Sequence, residues 1–443
     1  MKFSCYNSIL RPNQDSILLY NAVSDRFMVM KDAYLDSLTH SIEEFGERHP
    51  EILQKLRNGR FLIDDINEEI EFVVNKGVEI CRNHNGVYNT IINPTLRCNF
   101  RCWYCYEEHD GETKMKPPTI EKVKKHISLM VSKGDVNEYQ LSFFGGEPLL
   151  YYDDCVKPLI DHMRTELRRT GKRGGINFTS NGYLLCDRMI DHLTEGNERI
   201  SFQITLDGDR IQHNLVRHTS CGIGSYDRIV RNVITLLKKG IHVILRINMT
   251  TRNIDSTKNI LNDLKELTEN EKSYLSVDFQ KVWQEREEID RSRSTDMIVK
   301  DFKAESYHTN DFYSRMNTFA SPCYGDMTNS CVINYNGDVY KCTARDFIGS
   351  NRLGRISIDG NIVWDRENIL RDRIERKFRN STCRSCRIFP LCGGGCVQTS
   401  SELDYNGCSR HLSAKDKDKI IYSRFYNQIV KPHEKEIKTH TTA

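Results

Sequence analysis

Cysteine is the residue type whose number and spacing in this chain point most directly to chemistry. The 443 residues include 16 cysteines, far more than a reducing compartment normally keeps as disulfides. Eleven of them fall into two dense sets, at 98–105 and 323–408, and clustered thiols in such a chain indicate metal binding. The remaining five are expected to be small buried hydrophobic residues: Cys5, Cys81, Cys155, Cys186 and Cys221.

The first set, Cys98, Cys102 and Cys105, follows a strand-like run at 90–92. Structural zinc sites prefer four protein ligands, whereas three thiolates on one loop suit a [4Fe-4S] cluster with one iron open to a small molecule. This CxxxCxxC spacing after a first strand resembles the radical SAM enzymes. The resemblance implies that the open iron binds S-adenosylmethionine (SAM), and that reduction of SAM releases a 5′-deoxyadenosyl radical.

Segments at the ends of the next three predicted strands resemble the SAM-binding motifs of the same family. The resemblance implies that the glycine-rich segment at 145–148 accepts hydrogen bonds from the methionine ammonium, and glycine lets the backbone approach a ligand closely. Short polar side chains after the third and fourth strands can reach the ribose or the methionine portion, and an arginine can meet the carboxylate. Each segment beyond the glycines also fits an ordinary turn or a surface position. The SAM-binding candidates are Gly145, Gly146, Glu147, Pro148, Ser180, Asn181, Thr205, Asp207 and Arg217.

The second cysteine set resembles the SPASM domain that follows the barrel in many radical SAM enzymes. Its spacing runs from Cys323 through Gly337 and Cys342 to the group Cys383, Cys386, Cys392, Cys396 and Cys408. With Cys331 there are eight thiols, the number that closes two [4Fe-4S] clusters. By resemblance one auxiliary cluster takes Cys323, Cys331, Cys342 and Cys396, and the other takes Cys383, Cys386, Cys392 and Cys408. The cofactors implied are three [4Fe-4S] clusters and SAM, with a zinc ribbon as the alternative for this region.

The elements that must position these residues form an α/β chain. From about residue 89, six short apolar runs alternate with amphipathic helices, which predicts a parallel sheet and a partial (β/α)6 barrel. We expect a radical SAM barrel over 86–314, an irregular iron-sulfur SPASM domain over 315–412, and a C-terminal helix and tail over 413–443. Helical periodicity fades after about residue 315, so metal-thiolate bonds are expected to hold that segment.

The pattern of residues 1–85 predicts a separate α+β module. Strand-like alternation at 2–10 and 16–30 flanks a turn at 11–15, and helices are predicted at 31–39, 41–57 and 66–82. The pattern resembles the winged-helix-like peptide-recognition element of enzymes that modify ribosomally made peptides. In those domains the leader of the precursor peptide adds a strand to the sheet edge. A plain extension that packs on the barrel is the alternative.

The choice between maturase families depends on the residues after Cys342. Sulfatase-maturing enzymes of this family carry an aspartate directly after the corresponding cysteine, but here the aspartate is Asp346. The displacement weakens the sulfatase interpretation and leaves Asp346 as a candidate catalytic base or a partner of Arg345. The sequence thus favours a peptide maturase that forms a thioether or carbon-carbon cross-link. The alternatives are an anaerobic sulfatase-maturing enzyme and a non-catalytic zinc protein that binds peptides.

Composition excludes several other classes. A net charge of +3 over 443 residues gives no electrostatic case for a nucleic-acid partner. The N-terminus lacks the apolar core of a signal peptide, and no apolar run approaches the ~18 residues that span a membrane. We therefore expect a cytoplasmic enzyme that acts on a precursor peptide with a leader and takes electrons from a flavodoxin or ferredoxin.

Overall fold

The N-terminal residues form a small three-stranded antiparallel sheet followed by helices. The computed structural model describes residues 1–83, 85–109, 111–219, 221–285, 296–310, 316–319, 322–403 and 407–433. The antiparallel sheet has the order β2-β3-β4, and β1 pairs with β5 in a separate two-stranded ladder. The elements of this part are β1 (Lys2–Phe3), β2 (Asn7–Leu10), β3 (Ser16–Asn21), β4 (Arg26–Lys31), α1 (Asp32–His40), α2 (Ile42–Arg48), α3 (Pro50–Asn58), β5 (Leu62–Ile63) and α4 (Ile66–Arg82).

Two differences from the predicted pattern have local causes. The run at 16–30 is itself a hairpin, because the chain turns back between β3 and β4 with Asp25 at a positive φ of 54°. The helix predicted at 41–57 is two helices that meet at His49. Proline disfavours helical geometry in the residue before it and fits the first turn of a new helix, so Pro50 ends one helix and starts the next.

The six predicted barrel strands are present and lie in one parallel sheet in consecutive order, from β6 to β11. Amphipathic helices join them, as expected for β/α units. The elements are β6 (Val87–Ile92), α5 (Pro117–Ser132), β7 (Glu138–Phe143), α6 (Lys157–Thr170), β8 (Arg173–Ser180), α7 (Asp187–Thr194), β9 (Arg199–Leu206), α8 (Arg210–Val216), α9 (Tyr226–Lys238), β10 (His242–Met249), α10 (Ile260–Leu264), α11 (Glu269–Lys272), β11 (Leu275–Lys281) and α12 (Asp296–Ala304).

The barrel sheet extends beyond the six strands at both edges. A short parallel strand, β12 (His308–Asn310), follows β11, and β13 (Ser330–Ile333) pairs in parallel with β6. The ladder then continues antiparallel through β14 (Asp338–Tyr340), β15 (Gly354–Ile356) and β16 (Ile362–Trp364). No helical periodicity marks this segment in the sequence, yet Val332, Ile333 and Val339 are fully buried. Hydrophobic burial therefore supports this stretch in addition to any metal.

The barrel core is apolar and aromatic. Phe143, Phe178 and Phe202 come from three neighbouring strands, and their rings stack with centroids 5.1 and 4.6 Å apart. The helices cover the sheet with their apolar faces, as in α9, where Ile229, Val233 and Leu236 are buried. This packing holds the strand ends, where polar residues project, in a fixed arrangement.

The C-terminal part consists of short helices: α13 (Ile369–Arg379), α14 (Ser381–Arg384), α15 (Phe389–Cys392), α16 (Val397–Leu403) and α17 (Ala414–Phe425). Their apolar residues join those of β2, β3 and α4 in one core cluster that includes Tyr6, Val73, Phe378 and Ile420. The buried Arg424 guanidinium pairs with Asp25, so the two ends of the chain are tied within this unit.

The chain divides into two compact units. One comprises residues 1–83, 312–328 and 370–443, and the other comprises 84–311 and 329–369. The four-part division predicted from the sequence stays a prediction, and its 314/315 boundary and most of the polar tail lie outside the described residues. Within the described parts of the chain, no helix is long and apolar enough to cross a membrane.

Candidate active site

Four consecutive parallel strands end at one edge of the barrel sheet, and each ends in residues singled out from the sequence. The loop after β6 carries Cys98, the loop after β7 carries Glu147, β8 ends at Ser180, and Asp207 follows β9. The carboxyl ends of parallel strands lie on the same edge, which is where barrel enzymes gather their functional residues. The fold therefore brings these segments together as the sequence predicts.

Two glycines let the second strand end press against the cysteine loop. The Gly146 amide donates to the Thr95 carbonyl at 3.2 Å, and the Glu147 amide donates to the Arg97 carbonyl at 2.9 Å. Gly145 has a positive φ of 103°, and a β-carbon on Gly146 would lie 2.3 Å from the Arg97 oxygen. Only glycine fits such a close backbone approach, so this pair fixes the backbone that leads into Cys98.

The Glu147 carboxylate connects two of the strand ends directly and a third through Asn181. It is fully buried, and it accepts hydrogen bonds from the Ser180 hydroxyl at 2.8 Å and from the Asn181 and Leu149 amides at 2.8 and 3.0 Å. Burial raises the pKa of Glu147 to about 7, although these donors oppose the rise. The Asn181 side chain in turn donates to the Asn99 oxygen at 2.8 Å, which links the third strand end to the cysteine loop.

A buried ion pair lies at the fourth strand end. The Arg217 guanidinium pairs with the Asp207 carboxylate, and the Tyr104 hydroxyl donates to both Asp207 oxygens at 2.8 Å. Burial alone would lower the pKa of Arg217, but Tyr104, Cys102 and Asp207 raise it well above its ordinary value. Arg217 is therefore a permanent cation close to the cysteine loop.

A buried histidine on α8, His213, contacts the backbone of both members of this pair. His213 Nδ1 accepts from the Asp207 amide at 3.2 Å, and its Nε2 lies 2.9 Å from the Ser225 hydroxyl. That hydroxyl donates to the Arg217 carbonyl at 2.6 Å, so Nε2 carries the proton and donates to Ser225. Burial and the charge of Arg217 lower the pKa of His213 well below its ordinary value, which keeps the ring neutral.

The three thiols of the loop lie close to one another and to Arg217. Burial and the Glu147 carboxylate raise the pKa of Cys98 to about 12, and burial raises that of Cys105 to about 11. Arg217 opposes the rise at all three thiols. The Cys105 sulfur is 3.2 Å from His109 Nε2, and His109 Nδ1 is 2.7 Å from the Leu96 carbonyl. This histidine, which sequence reasoning missed, thus contacts a predicted iron ligand.

Pro148 and Thr205 support the site from its edges. Pro148 begins a 3₁₀ turn, Pro148–Tyr151, whose first free amide is capped by the Glu147 side chain. Thr205 is buried near the end of β9, beside Arg246 of β10. No described side-chain hydrogen bond gives Thr205 a role in binding, and its assignment to SAM stays a prediction.

These residues fit the groups that the sequence implies. Three clustered thiols with one histidine contact and no fourth cysteine on the loop match a cluster with one open iron. The buried cation at Arg217 suits a ligand with a carboxylate, whereas Gly145 and Gly146 approach the backbone of the cysteine loop. The thiols would hold the cluster, and Arg217 with the strand ends would hold SAM.

A second acidic residue lies near the candidate base. Glu107 is buried, and within the described residues its Oε2 accepts no hydrogen bond. Burial and the nearby Asp346 carboxylate raise the pKa of Glu107 to about 8. The Tyr106 hydroxyl donates to the Thr343 carbonyl at 2.5 Å, which ties the cysteine loop to the segment between Cys342 and Asp346. Sequence reasoning missed Glu107, whose only mark is its position two residues after Cys105.

Cys331 lies inside the barrel core. It is buried on β13, its sulfur is 3.7 Å from His126 Nε2, and its other neighbours include Tyr88 and Thr90. Burial raises the pKa of its thiol to about 11. This position gives no support of its own to the assignment of Cys331 to an auxiliary cluster. Cys342 follows β14 on the same ladder, and its sulfur accepts from the Ala344 amide at 3.3 Å.

Four other predicted ligands, Cys383, Cys386, Cys392 and Cys408, lie near one another in the unit that contains the chain ends. Burial and the other three thiols of the group raise the pKa of Cys383 to about 12. The Asn380 side chain accepts from the Cys383 amide at 3.1 Å and donates to the Gly407 carbonyl at 2.9 Å, which draws the segment before Cys408 toward α14. Four gathered thiols fit a fully ligated cluster.

Cys323 and Cys396 belong to the same unit. Cys323 precedes a 3₁₀ turn, Tyr324–Asp326, and the Cys396 amide donates to the Ser409 hydroxyl at 2.9 Å. All sixteen cysteines lie within the described residues, and none forms a disulfide bond. Among the five scattered cysteines, Cys186 and Cys221 are exposed, so the expectation that they are buried was wrong. Across the described ranges, no three side chains of His, Cys, Asp or Glu are placed so that they could hold a single metal ion.

Comparison with known proteins shows what the barrel segment is similar to. Residues 92–300 match the model of the Radical SAM superfamily. A GTP 3',8-cyclase from Rhodopirellula baltica is 35% identical over 119 residues, which are 26% of this chain and 31% of that protein. This chain therefore spans about a third of that relative. A cysteine-type anaerobic sulfatase-maturating enzyme from Clostridium perfringens is 22% identical over 346 residues, which are 70% of this chain and 90% of that protein.

Two solved structures share the fold. Native anSMEcpe with bound AdoMet superposes with a TM-score of 0.59 at 18% identity, covering 78% of this chain and 98% of that one. SuiB from Streptococcus suis superposes with a TM-score of 0.51 at 16% identity, covering 94% and 99%. At these identities the likeness concerns the fold, which agrees with the α/β barrel predicted from the sequence.

Proposed function

We propose that this chain, which carries a radical SAM domain at residues 92–300, oxidatively modifies a ribosomally made precursor peptide. The observation that carries the proposal is the meeting of three thiols, a buried carboxylate and a buried guanidinium at one edge of the parallel sheet. A fold alone does not assign an activity, whereas these residues together could bind a cluster and SAM.

When bound, the cluster and SAM would supply the radical chemistry that removes a hydrogen atom from the peptide. The protein's own residues bind and orient. Arg217 offers a fixed positive charge to the SAM carboxylate, and Asp207 with Tyr104 holds the guanidinium in place. Glu147 keeps the Ser180 and Asn181 strand end in register with the cysteine loop.

The substrate class is supported by the N-terminal sheet. Its edge strands β2 and β4 flank β3, and a free sheet edge can bind an extended peptide through main-chain hydrogen bonds. Val29 on β4 leaves 59% of its surface exposed, which suits an apolar contact with a leader. A solved structure of anSMEcpe includes bound AdoMet and the Cp18Cys peptide, and by analogy we assign a peptide substrate here.

A thioether or carbon-carbon cross-link is our first choice of product, because either requires the net removal of two electrons and two hydrogens. The four gathered thiols of Cys383, Cys386, Cys392 and Cys408 support an auxiliary cluster that passes electrons on. Asp346, with Glu107 beside it, is our candidate to accept the proton. A flavodoxin or ferredoxin is the proposed donor of the initiating electron.

The second candidate is an anaerobic sulfatase-maturing enzyme. It is favoured by the match that spans 90% of the Clostridium perfringens protein. The displaced position of Asp346 relative to Cys342 argues against it. The two candidates differ in the peptide that they modify.

Intact mass spectrometry separates the candidates. The reconstituted full chain is incubated anaerobically with SAM, a reductant and either a short peptide encoded beside its gene or a sulfatase-motif peptide. A loss of two hydrogens from the short peptide, absent with Cys102→Ala, supports the cross-link. Conversion of a Cys or Ser in the sulfatase peptide to formylglycine supports the second candidate. A colourless protein that contains zinc and no iron after anaerobic preparation would refute both.

A further inference from the structure

A buried ion pair lies beside the thiols of the C-terminal cysteine set. The Lys377 ammonium on α13 donates to the Asp326 carboxylate at 2.6 Å, and the two side chains are 6% and 4% exposed. Asp326 comes three residues after Cys323, at the end of the turn that Cys323 begins. A buried pair of this kind costs desolvation free energy that its own attraction often fails to repay, so stability alone is a weak reason for it.

The lysine also contacts the loop that carries two other predicted ligands. A β-carbon on Gly394 would lie 3.4 Å from both Cγ and Cε of Lys377, and Gly394 stands between Cys392 and Cys396 in the sequence. The lysine stem therefore packs on this loop, while its ammonium reaches the turn after Cys323.

The charge of Lys377 acts on several thiols at once. Burial would lower the pKa of Lys377, but Asp326 and the thiols of Cys81 and Cys323 raise it above its ordinary value. The same ammonium opposes the rise in pKa at Cys383 and Cys392. Lys377 is thus a permanent cation, nearly free of solvent screening, that faces thiols of both predicted auxiliary sets.

We propose that Lys377 is a positioning residue that raises the reduction potential of the auxiliary cluster on Cys383, Cys386, Cys392 and Cys408, and that Asp326 limits this effect. Reduction adds negative charge to a cluster, and a nearby buried cation stabilises that charge. The pair thereby sets how readily this cluster accepts an electron during peptide oxidation. The inference rests on the proposed function, because it requires the auxiliary cluster to be present.

The test is a redox titration followed by electron paramagnetic resonance, with the full chain in a Cys98→Ala, Cys102→Ala, Cys105→Ala background. The signal that a further Cys386→Ala change removes identifies the cluster of interest. Lys377→Met should shift its midpoint to lower potential, so that the ratio of reduced to oxidised cluster at a fixed potential falls about tenfold, which is 59 mV for one electron. Asp326→Asn should shift the midpoint the other way.

Arg379→Met is the matched control. Arg379 lies on the same helix and pairs with Glu375, but it is 76% exposed, so solvent and salt screen its charge. Its removal should leave the midpoint unchanged. Opposite midpoint shifts in Lys377→Met and Asp326→Asn exclude a merely structural role. Structural damage would not reverse the direction of the midpoint shift according to the sign of the charge that is removed.

Each outcome decides one claim. Unchanged midpoints with full iron content overturn the role of Lys377 and leave the proposed function intact. A starting protein without iron overturns the proposed function itself. Where Lys377→Met does not hold iron, Asp326→Asn and Lys377→Arg carry the test. A midpoint equal to wild type in Asp326→Asn then overturns the proposal, and a positive shift, with Lys377→Arg near wild type, supports it.

Discussion

Replacing Gly146 by alanine should damage the site more than the fold. The new β-carbon would lie 2.3 Å from the Arg97 oxygen and 2.4 Å from the Leu96 oxygen. Both are backbone atoms next to Cys98, so no flexible side chain can move aside. Ordinary contact needs about 1 Å more, and the cysteine loop must therefore separate from the Gly-Gly-Glu segment.

The magnitude follows from the contacts that this separation breaks. Overpacking of a close contact typically costs about 1–3 kcal/mol. Loss of the hydrogen bond from the Glu147 amide to the Arg97 carbonyl, 2.9 Å long, adds about 1 kcal/mol. We therefore expect Gly146→Ala to lower the free energy of unfolding by about 2–4 kcal/mol and to weaken SAM binding, because the loop that binds the cluster moves.

Urea unfolding of the metal-free protein and calorimetric titration of the reconstituted enzyme with SAM measure the two effects. Gly134→Ala is the matched control, because no atom lies within 4 Å of its added β-carbon. It should leave both quantities near wild type. If Gly146→Ala matched Gly134→Ala in unfolding free energy and in SAM affinity, the close approach of these two segments would be refuted.

Three further predictions concern the carboxylate, the histidine and the auxiliary thiols. Glu147→Gln places an NH₂ group against an N–H or O–H donor, because all three groups that contact the Glu147 carboxylate are donors. Urea unfolding should show that the free energy of unfolding falls by about 1–3 kcal/mol, and an unchanged value would contradict the assigned hydrogen bonds. His213 has a lowered pKa when folded, so the unfolded chain takes up its proton first. Stability should therefore fall as pH drops below about 6.5, by up to about 1.4 kcal/mol per pH unit. His213→Asn keeps an acceptor for the Asp207 amide and should flatten this slope in unfolding measured from pH 7 to 5. Cys386→Ala should remove about four of about twelve irons per chain in an iron assay, whereas the exposed Cys186→Ala should lose none; equal losses would argue against the cluster.

The barrel was predictable because its elements are locally encoded. Apolar runs such as 242–247 and 275–279 coincide with β10 and β11, and the stripe at 226–239 coincides with α9. The thiol spacing and the strand-end motifs are also visible in the local sequence. Only the order of the strands in the sheet had to be added to place Cys98 near Glu147.

Features that depend on long-range pairing were not predictable. Glu107 carries no motif, and it becomes a candidate only because Asp346, far along the chain, lies near it. Cys331 matches a count of eight thiols in the sequence, but its side chain lies among His126 and Tyr88, a neighbourhood set by the pairing of β13 with β6. In the sequence, Lys377 is likewise one of several cations in a charged helix. Only the fold places it against Asp326 and near the cysteine thiols.

The pairing of β6 with β13 also has a consequence for the order in which the protein folds. Asn329, beside β13, bonds to Val87 across 242 positions, so one edge of β6 stays unpaired on the ribosome until that later segment emerges. At about 5–20 residues per second this delay lasts about 10–50 s. An open strand edge invites pairing with other chains. Expression of a chain shortened after β12 should therefore yield aggregates, whereas slower growth or chaperone supply should benefit the full-length protein.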